Sequence, residues 1–115
     1  MPLPAFARAA LAAAAVIALV SPAAAQSPGD AGRGARLAVR VCAQCHAVGR
    51  GSARSPDPMA PRFSAVAATP GMTEMALRVW LLSAHPTMPN FVLTKDETDD
   101  IVAYIMGLKA GRSVL

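Results

Sequence analysis

Cys42-Ala43-Gln44-Cys45-His46 decides the reading of this chain, because it holds both cysteines of the 115-residue sequence and one of its two histidines. The C-x-x-C-H spacing is that of a covalent haem attachment site. Two thiols three positions apart can add across the two vinyl groups of a porphyrin while one turn of chain follows the ring edge. The adjacent histidine then falls under the iron as proximal ligand. Three other readings compete. A structural zinc site takes four Cys or His ligands, and no second cysteine pair exists. A thioredoxin-like redox pair belongs in a βαβ context, of which the sequence has no sign. A small structural disulfide in an exported protein is the plainest alternative.

Residues 1–25 read as a cleavable signal peptide. Arg8 precedes an apolar stretch over 9–20, and Ser21-Pro22-Ala23-Ala24-Ala25 follows it. That is a charged region, an apolar region and an A-x-A cleavage site. The apolar stretch is shorter than the roughly 18 residues of a spanning helix, so cleavage after Ala25 is expected, and only a retained leader would anchor the chain to a membrane. Thioether attachment of haem takes place outside the bacterial cytoplasm, so export and haem support each other and point to the periplasm.

Residues 26–115 then form one small monohaem domain. A covalent porphyrin gives so small a chain an apolar body to pack around, which suits the few aromatics there: Phe63, Trp80, Phe91 and Tyr104. The hydrophobic content of 54% is raised by the leader and by alanine, and is no membrane signal. The formal charge of +4 falls by one with loss of Arg8. That is mild, and no nucleic-acid footprint is visible.

The patterning predicts an all-α domain of about four helices, with no period-two strand. A first helix starts near Asp30, a good cap residue, turns Gly34, Leu37, Ala38 and Val41 inward, and runs into Cys42. Residues 48–61, rich in Gly, Ser, Arg and Pro, read as loop. A short helix over about 63–68 is stopped by Pro70-Gly71. Thr73-Glu74 opens a third helix with Leu77, Trp80 and Leu81 on one face, which ends at or before His85-Pro86. Thr94-Lys95-Asp96-Glu97 is a capping box for the last helix. Its stripe is Ile101, Tyr104, Ile105 and Leu108, with Asp99 and Asp100 early and Lys109 and Arg112 late, as the macrodipole favours.

Iron held by His46 has a second axial position, and Met59, Met72, Met75, Met88, Met106 and His85 compete for it. Met88 lies in Pro86-Thr87-Met88-Pro89-Asn90-Phe91, a loop stiffened by two prolines and able to hold a weak thioether ligand, and is the expected distal ligand. Met59 is similarly bracketed by Pro58 and Pro61 but follows His46 closely. Met72, Met75 and Met106 read as core filler. His85 is the main competitor: imidazole is a good iron ligand, and bis-His ligation would lower the reduction potential relative to His/Met.

Taken with Ala60-Pro61-x-Phe63, Trp80-Leu81, His85-Pro86-x-Met88-Pro89-x-Phe91 and Ile101-Val102-Ala103-Tyr104-Ile105, the attachment motif makes residues 30–110 resemble a short class I c-type cytochrome of bacterial type. The resemblance implies the cytochrome c fold, with first and last helices crossing around one haem c, and one-electron transfer without substrate chemistry. It implies Cys42 and Cys45 as tethers, His46 and Met88 as ligands, and Pro61 and Trp80 in the haem pocket. It further implies that a Pro61 carbonyl accepts the second His46 ring nitrogen, and that Gly34 packs against Tyr104. The lysine ring with which mitochondrial-type relatives dock partners is absent, as only Lys95 and Lys109 are present. The arginine row Arg33, Arg36 and Arg40 reads as a solvated face or as a docking patch for an acidic-surfaced redox partner. The protein would act as a free monomer or as the cytochrome subunit of a periplasmic dehydrogenase or oxidase complex. A ligand-binding or peroxidatic haem with an open sixth position is the remaining reading. The gas-binding cytochromes of that kind carry the motif near the C-terminus of a four-helix bundle, whereas here it is near the N-terminus.

Overall fold

The computed structural model describes residues 29–109. The leader over 1–25, the start of the domain at 26 and the charge at Arg112 lie outside the described residues. Among the described residues four helices follow one another: α1 (Ala31–Val41), α2 (Phe63–Ala68), α3 (Glu74–Leu82) and α4 (Lys95–Gly107). Among the described residues there is no strand. The all-α expectation therefore holds, with the helix bounds within a residue or two of those read from the pattern.

Each helix is stopped and started by local chemistry. The Asp30 carboxylate accepts the Arg33 N–H at 2.7 Å and caps α1. Thr73 caps α3 by accepting from Ala76 N–H. Thr94 and Glu97 form the full reciprocal box at the start of α4. Caps of this kind contribute about 1 kcal/mol each. Past α2 the chain turns through Gly71 at φ +76°, a left-handed position that glycine takes without steric cost.

The last helix organises the rest, since α1, α2 and α3 all pack against α4. Ile101, Val102, Ile105 and Leu108 form the core with Leu37, Ala38, Phe63, Ala67 and Leu77. The closest approach is between α1 and α4. A methyl group on Gly34 would overlap the Asp100 carbonyl and come within 2.8 Å of Tyr104 Cβ. Glycine is required there so that the two backbones can touch.

Asp99 and Asp100 do more than complement the helix dipole. Both side chains are nearly buried, at 8% exposure. Asp100 accepts from Arg33 Nε at 2.7 Å, from Arg33 Nη2 at 2.9 Å and from the Asp30 N–H at 2.6 Å, which latches α1 onto α4. Asp99 pairs with Arg78 of α3 and with Lys95 at 2.7 Å. Arg33 is thus tied to Asp100 while its side chain stays 59% exposed, and Arg36 and Arg40 complete the exposed row. The acidic-patterned start of α4 is where three helices are joined by charge.

Candidate functional site

The attachment motif leaves α1 as a tight turn. Cys42 is the C-cap residue of α1, and its carbonyl accepts the N–H groups of Cys45 at 3.2 Å and His46 at 2.9 Å. This single turn sets the two thiols and the imidazole beside one cleft of about 490 Å³. Neither cysteine is in a disulfide. Burial pushes the Cys42 thiol up from its ordinary value, so it stays protonated at neutral pH. Among the described residues no group of three or more His, Cys, Asp or Glu side chains is placed to hold a metal ion by itself.

His46 is fixed from two sides. Its Nδ1 lies 2.7 Å from the Pro61 carbonyl. A carbonyl can only accept, so Nδ1 carries the proton and Nε2 keeps its lone pair. This is the arrangement that orients a metal-binding imidazole and raises its basicity. Phe63 packs against the ring with centroids 5.3 Å apart, a contact that the sequence pattern did not reveal. The loop behind is tied down in turn. Tyr104 donates its hydroxyl to the Val48 carbonyl at 2.7 Å, Asp57 N–H reaches the Cys45 carbonyl at 3.1 Å, and Phe63 N–H reaches Ala47 at 3.0 Å.

The rest of the cleft is apolar wall with few polar groups. Leu37 and Val41 of α1, Val66 of α2, Leu77 and Leu81 of α3, and Ile101 and Ile105 of α4 line it. Met88 and His85 both line it, as do Met59 and Met72. Met106 is partly buried against the core, in keeping with a filler role, but Met75 is 69% exposed and fills nothing. The stripe Leu77, Trp80, Leu81 splits: Leu77 joins the packed core, Leu81 is half-buried, and Trp80 stands 56% exposed on the cleft wall. Trp80 stacks on His85 with ring centroids 4.6 Å apart and planes 16° from parallel.

The donor set and the walls suit a covalent haem. Two thiols, one imidazole whose other nitrogen is occupied, a thioether on the loop after α3 and an apolar lining are what such a group needs. The large apolar side chains Met59, Trp80 and Phe91 are exposed at this cleft and at the same time line it. A flat porphyrin would cover them.

Comparison with known proteins points the same way. The sequence profile of the cytochrome c family matches residues 31–109. Cytochrome c-552 of Bradyrhizobium diazoefficiens is 42% identical over 94 residues, which cover 82% of this chain and 89% of that protein. No solved structure matches. The matched span begins with α1 and ends just past α4, so it takes in the four described helices and every residue that lines the cleft. The chain belongs to the cytochrome c family, as a class I c-type cytochrome that binds haem c covalently and transfers electrons.

Proposed function

We propose that this protein is a periplasmic one-electron carrier with no substrate chemistry of its own, exported by a signal peptide over residues 1–25 and working as the domain 26–115. The observation that carries the proposal is that one cleft gathers Cys42, Cys45, His46 and Met88. Cys42 and Cys45 are the tethers, His46 the proximal ligand and Met88 the distal one. The haem, when bound, supplies the Fe(III)/Fe(II) couple. The chain's contribution would be to supply the iron's two protein ligands and an apolar lining that sets the potential.

Each residue has a definite task in that arrangement. Pro61 holds Nδ1 of His46 and leaves Nε2 to ligate. A thioether at Met88 favours the ferrous state and keeps the potential above that of a bis-His site. The apolar lining disfavours the extra charge of the ferric state and acts in the same direction. Trp80 lies on the cleft wall beside His85. The partners are redox proteins. An acidic-surfaced partner is less well supported than the arginine row alone suggests, because Asp100 occupies Arg33.

Optical spectra of the holoprotein test the ligand set. The oxidised form should show a thioether-to-iron charge-transfer band that disappears in Met88→Ala and persists in His85→Ala. The native reduced protein should bind carbon monoxide only slowly. A band that survives loss of Met88 would move the assignment to another ligand, and ready carbon monoxide binding would exclude a six-coordinate carrier.

A further inference from the structure

Of the large apolar side chains left exposed, Met59, Trp80 and Phe91 line the haem cleft and are accounted for by the cofactor. Met75, Val79 and Leu82 do not line it. They lie at i, i+4 and i+7 of α3 and so form one stripe along its outer side, 69%, 56% and 73% exposed. Leu77 and Leu81 project from the opposite side into core and cleft. Apolar side chains thus stand on both sides of α3, and it leaves this face to solvent.

Glu74 and Arg78 flank the stripe at its start, but the stretch that continues it is uncharged. From residue 79 to residue 94 the sequence contains no Asp, Glu, Lys or Arg, and Val92 within that run is 96% exposed. Arg78, the nearest charge on the helix, is engaged by Asp99.

We propose that the outer face of α3, with the uncharged loop that follows, is the docking surface for an electron-exchange partner protein that presents an uncharged, apolar face of its own. The proposal rests on the electron-carrier function. Charge argues for this partner: an ionised side chain pressed against residues 79–94 would lose its hydration and gain no counter-charge. Size argues for a brief encounter. An exposed patch on the order of a few hundred Å² falls below the roughly 800 Å² per partner of a stable interface, and low-area contacts are those of short-lived redox complexes. A permanent second copy of this chain is disfavoured on the same ground. Continuity argues for function, because Leu77, Trp80 and Leu81 of the same helix line the cleft. A docked partner is therefore one helix, about 10 Å across, from the cofactor.

Voltammetry of the holoprotein at gold coated with methyl-terminated or carboxylate-terminated alkanethiol offers it an apolar and an acidic stand-in for the partner. Val79→Lys/Leu82→Lys changes the stripe without touching the cleft, and Arg36→Glu/Arg40→Glu reverses the remaining basic face. Both should keep the native spectrum and solution potential, which shows that they are folded. Expected is exchange on the methyl surface that varies less than about twofold from low to high salt, falls by about tenfold or more in Val79→Lys/Leu82→Lys, and is unaffected in Arg36→Glu/Arg40→Glu. Exchange confined to the carboxylate surface, or an apolar-surface signal equal in the lysine variant and the wild type, overturns the proposal. So does a concentration-dependent dimer in sedimentation that the lysine variant abolishes, which would make a second copy the occupant. Binding to neutral phosphatidylcholine vesicles lost in the same variant would make it a lipid surface. Absence of a reversible one-electron couple in solution would instead strike at the carrier function itself.

Discussion

His46 and Met88 reach the same cleft on segments anchored by different means. Behind His46, the loop over 48–61 is fastened by the Tyr104 hydroxyl on Val48, by Asp57 N–H on Cys45, by Ser55 on Ala47 N–H and by the Pro61 carbonyl on the ring itself. That loop leans on α1 and α4, which are latched by Arg33 and Asp100 and touch at Gly34. Residues 84–93, which carry Met88, make no hydrogen bond to any other described residue. Their attachments are the His85–Trp80 stack, the packing of Leu93 on the core and the stiffness of two prolines. The His46 side is thus built into the global fold, while the Met88 side is a segment of low local stability that the proposed thioether ligation would complete. Perturbing the first should unfold the protein, and perturbing the second should open one axial position.

The largest effect is expected from Gly34→Val. Its side chain would collide with the Asp100 carbonyl, which is backbone and cannot swing aside. Overpacking of this kind costs about 3 kcal/mol or more, a large part of the stability of a domain this size. Thermal unfolding or the yield of mature holoprotein should collapse. A melting temperature within a few degrees of wild type would mean that α1 and α4 are not locked at this point.

Asp100→Asn should cost less and should carry a pH signature. Hydrogen bonds from Arg33, and then from the Asp30 N–H, hold the Asp100 carboxyl below its ordinary value. Asp99 is held low first by Lys95 and then by Arg78. A carboxyl depressed in the folded state stabilises the fold fully above its ordinary pKa, and the contribution is lost as pH falls through the folded value. Wild type should therefore keep its melting temperature down to about pH 4 and lose it below. Asp100→Asn should start lower at pH 7, with the gap narrowing in acid. A gap that stays constant from neutral to acid pH would show that the latch does not act through this charge.

Thr94→Ala acts where the two regions join, at the end of the distal segment and the start of α4. It removes the hydroxyl that accepts the Glu97 N–H and donates to the Glu97 carboxylate, and leaves the Thr94 backbone N–H as that carboxylate's donor. A cost of about 1 kcal/mol is expected, read as a lower midpoint in denaturant with an unchanged slope. No shift in the midpoint would mean that the box is redundant with the packing of α4.

How far the sequence alone revealed these regions follows the same division. Helix bounds, caps and the α4 stripe were legible because they rest on local rules: Thr94 with Glu97, Asp30 before α1, Pro70-Gly71 after α2. The attachment motif was legible because its chemistry is written in adjacent residues. The bridges of Asp100 to Arg33, across 67 positions, and of Asp99 to Arg78 on another helix were not, since such pairing leaves no local trace and both aspartates suit the helix dipole equally well. Trp80 fell on the periodic face of α3 and yet lies at the cleft, because periodicity identifies a face that avoids water without telling protein core from cofactor. Met75 was misread as filler for a related reason. Sulfur on a helix suits a core or an exposed apolar stripe, and only packing tells them apart.

His85→Ala tests the weaker side of the comparison and should have the smallest effect on stability. An aromatic stack of this kind is worth about 0.5–1.5 kcal/mol, and a segment without hydrogen bonds transmits little of that to the global fold. The melting temperature should stay within a few degrees of wild type. The same energy spent on opening of the distal segment raises the open population by about two- to tenfold. Cyanide, which needs a free axial position, should then bind the oxidised holoprotein faster by about that factor, while the thioether band at equilibrium is retained. Trp80→Ala should reproduce the acceleration, and the double variant should add little, because both remove one contact. If cyanide binds both single variants at the wild-type rate, the stack does not hold Met88 in place. If His85→Ala lowers the melting temperature as far as Gly34→Val, the distal segment is as much a part of the global fold as the proximal one.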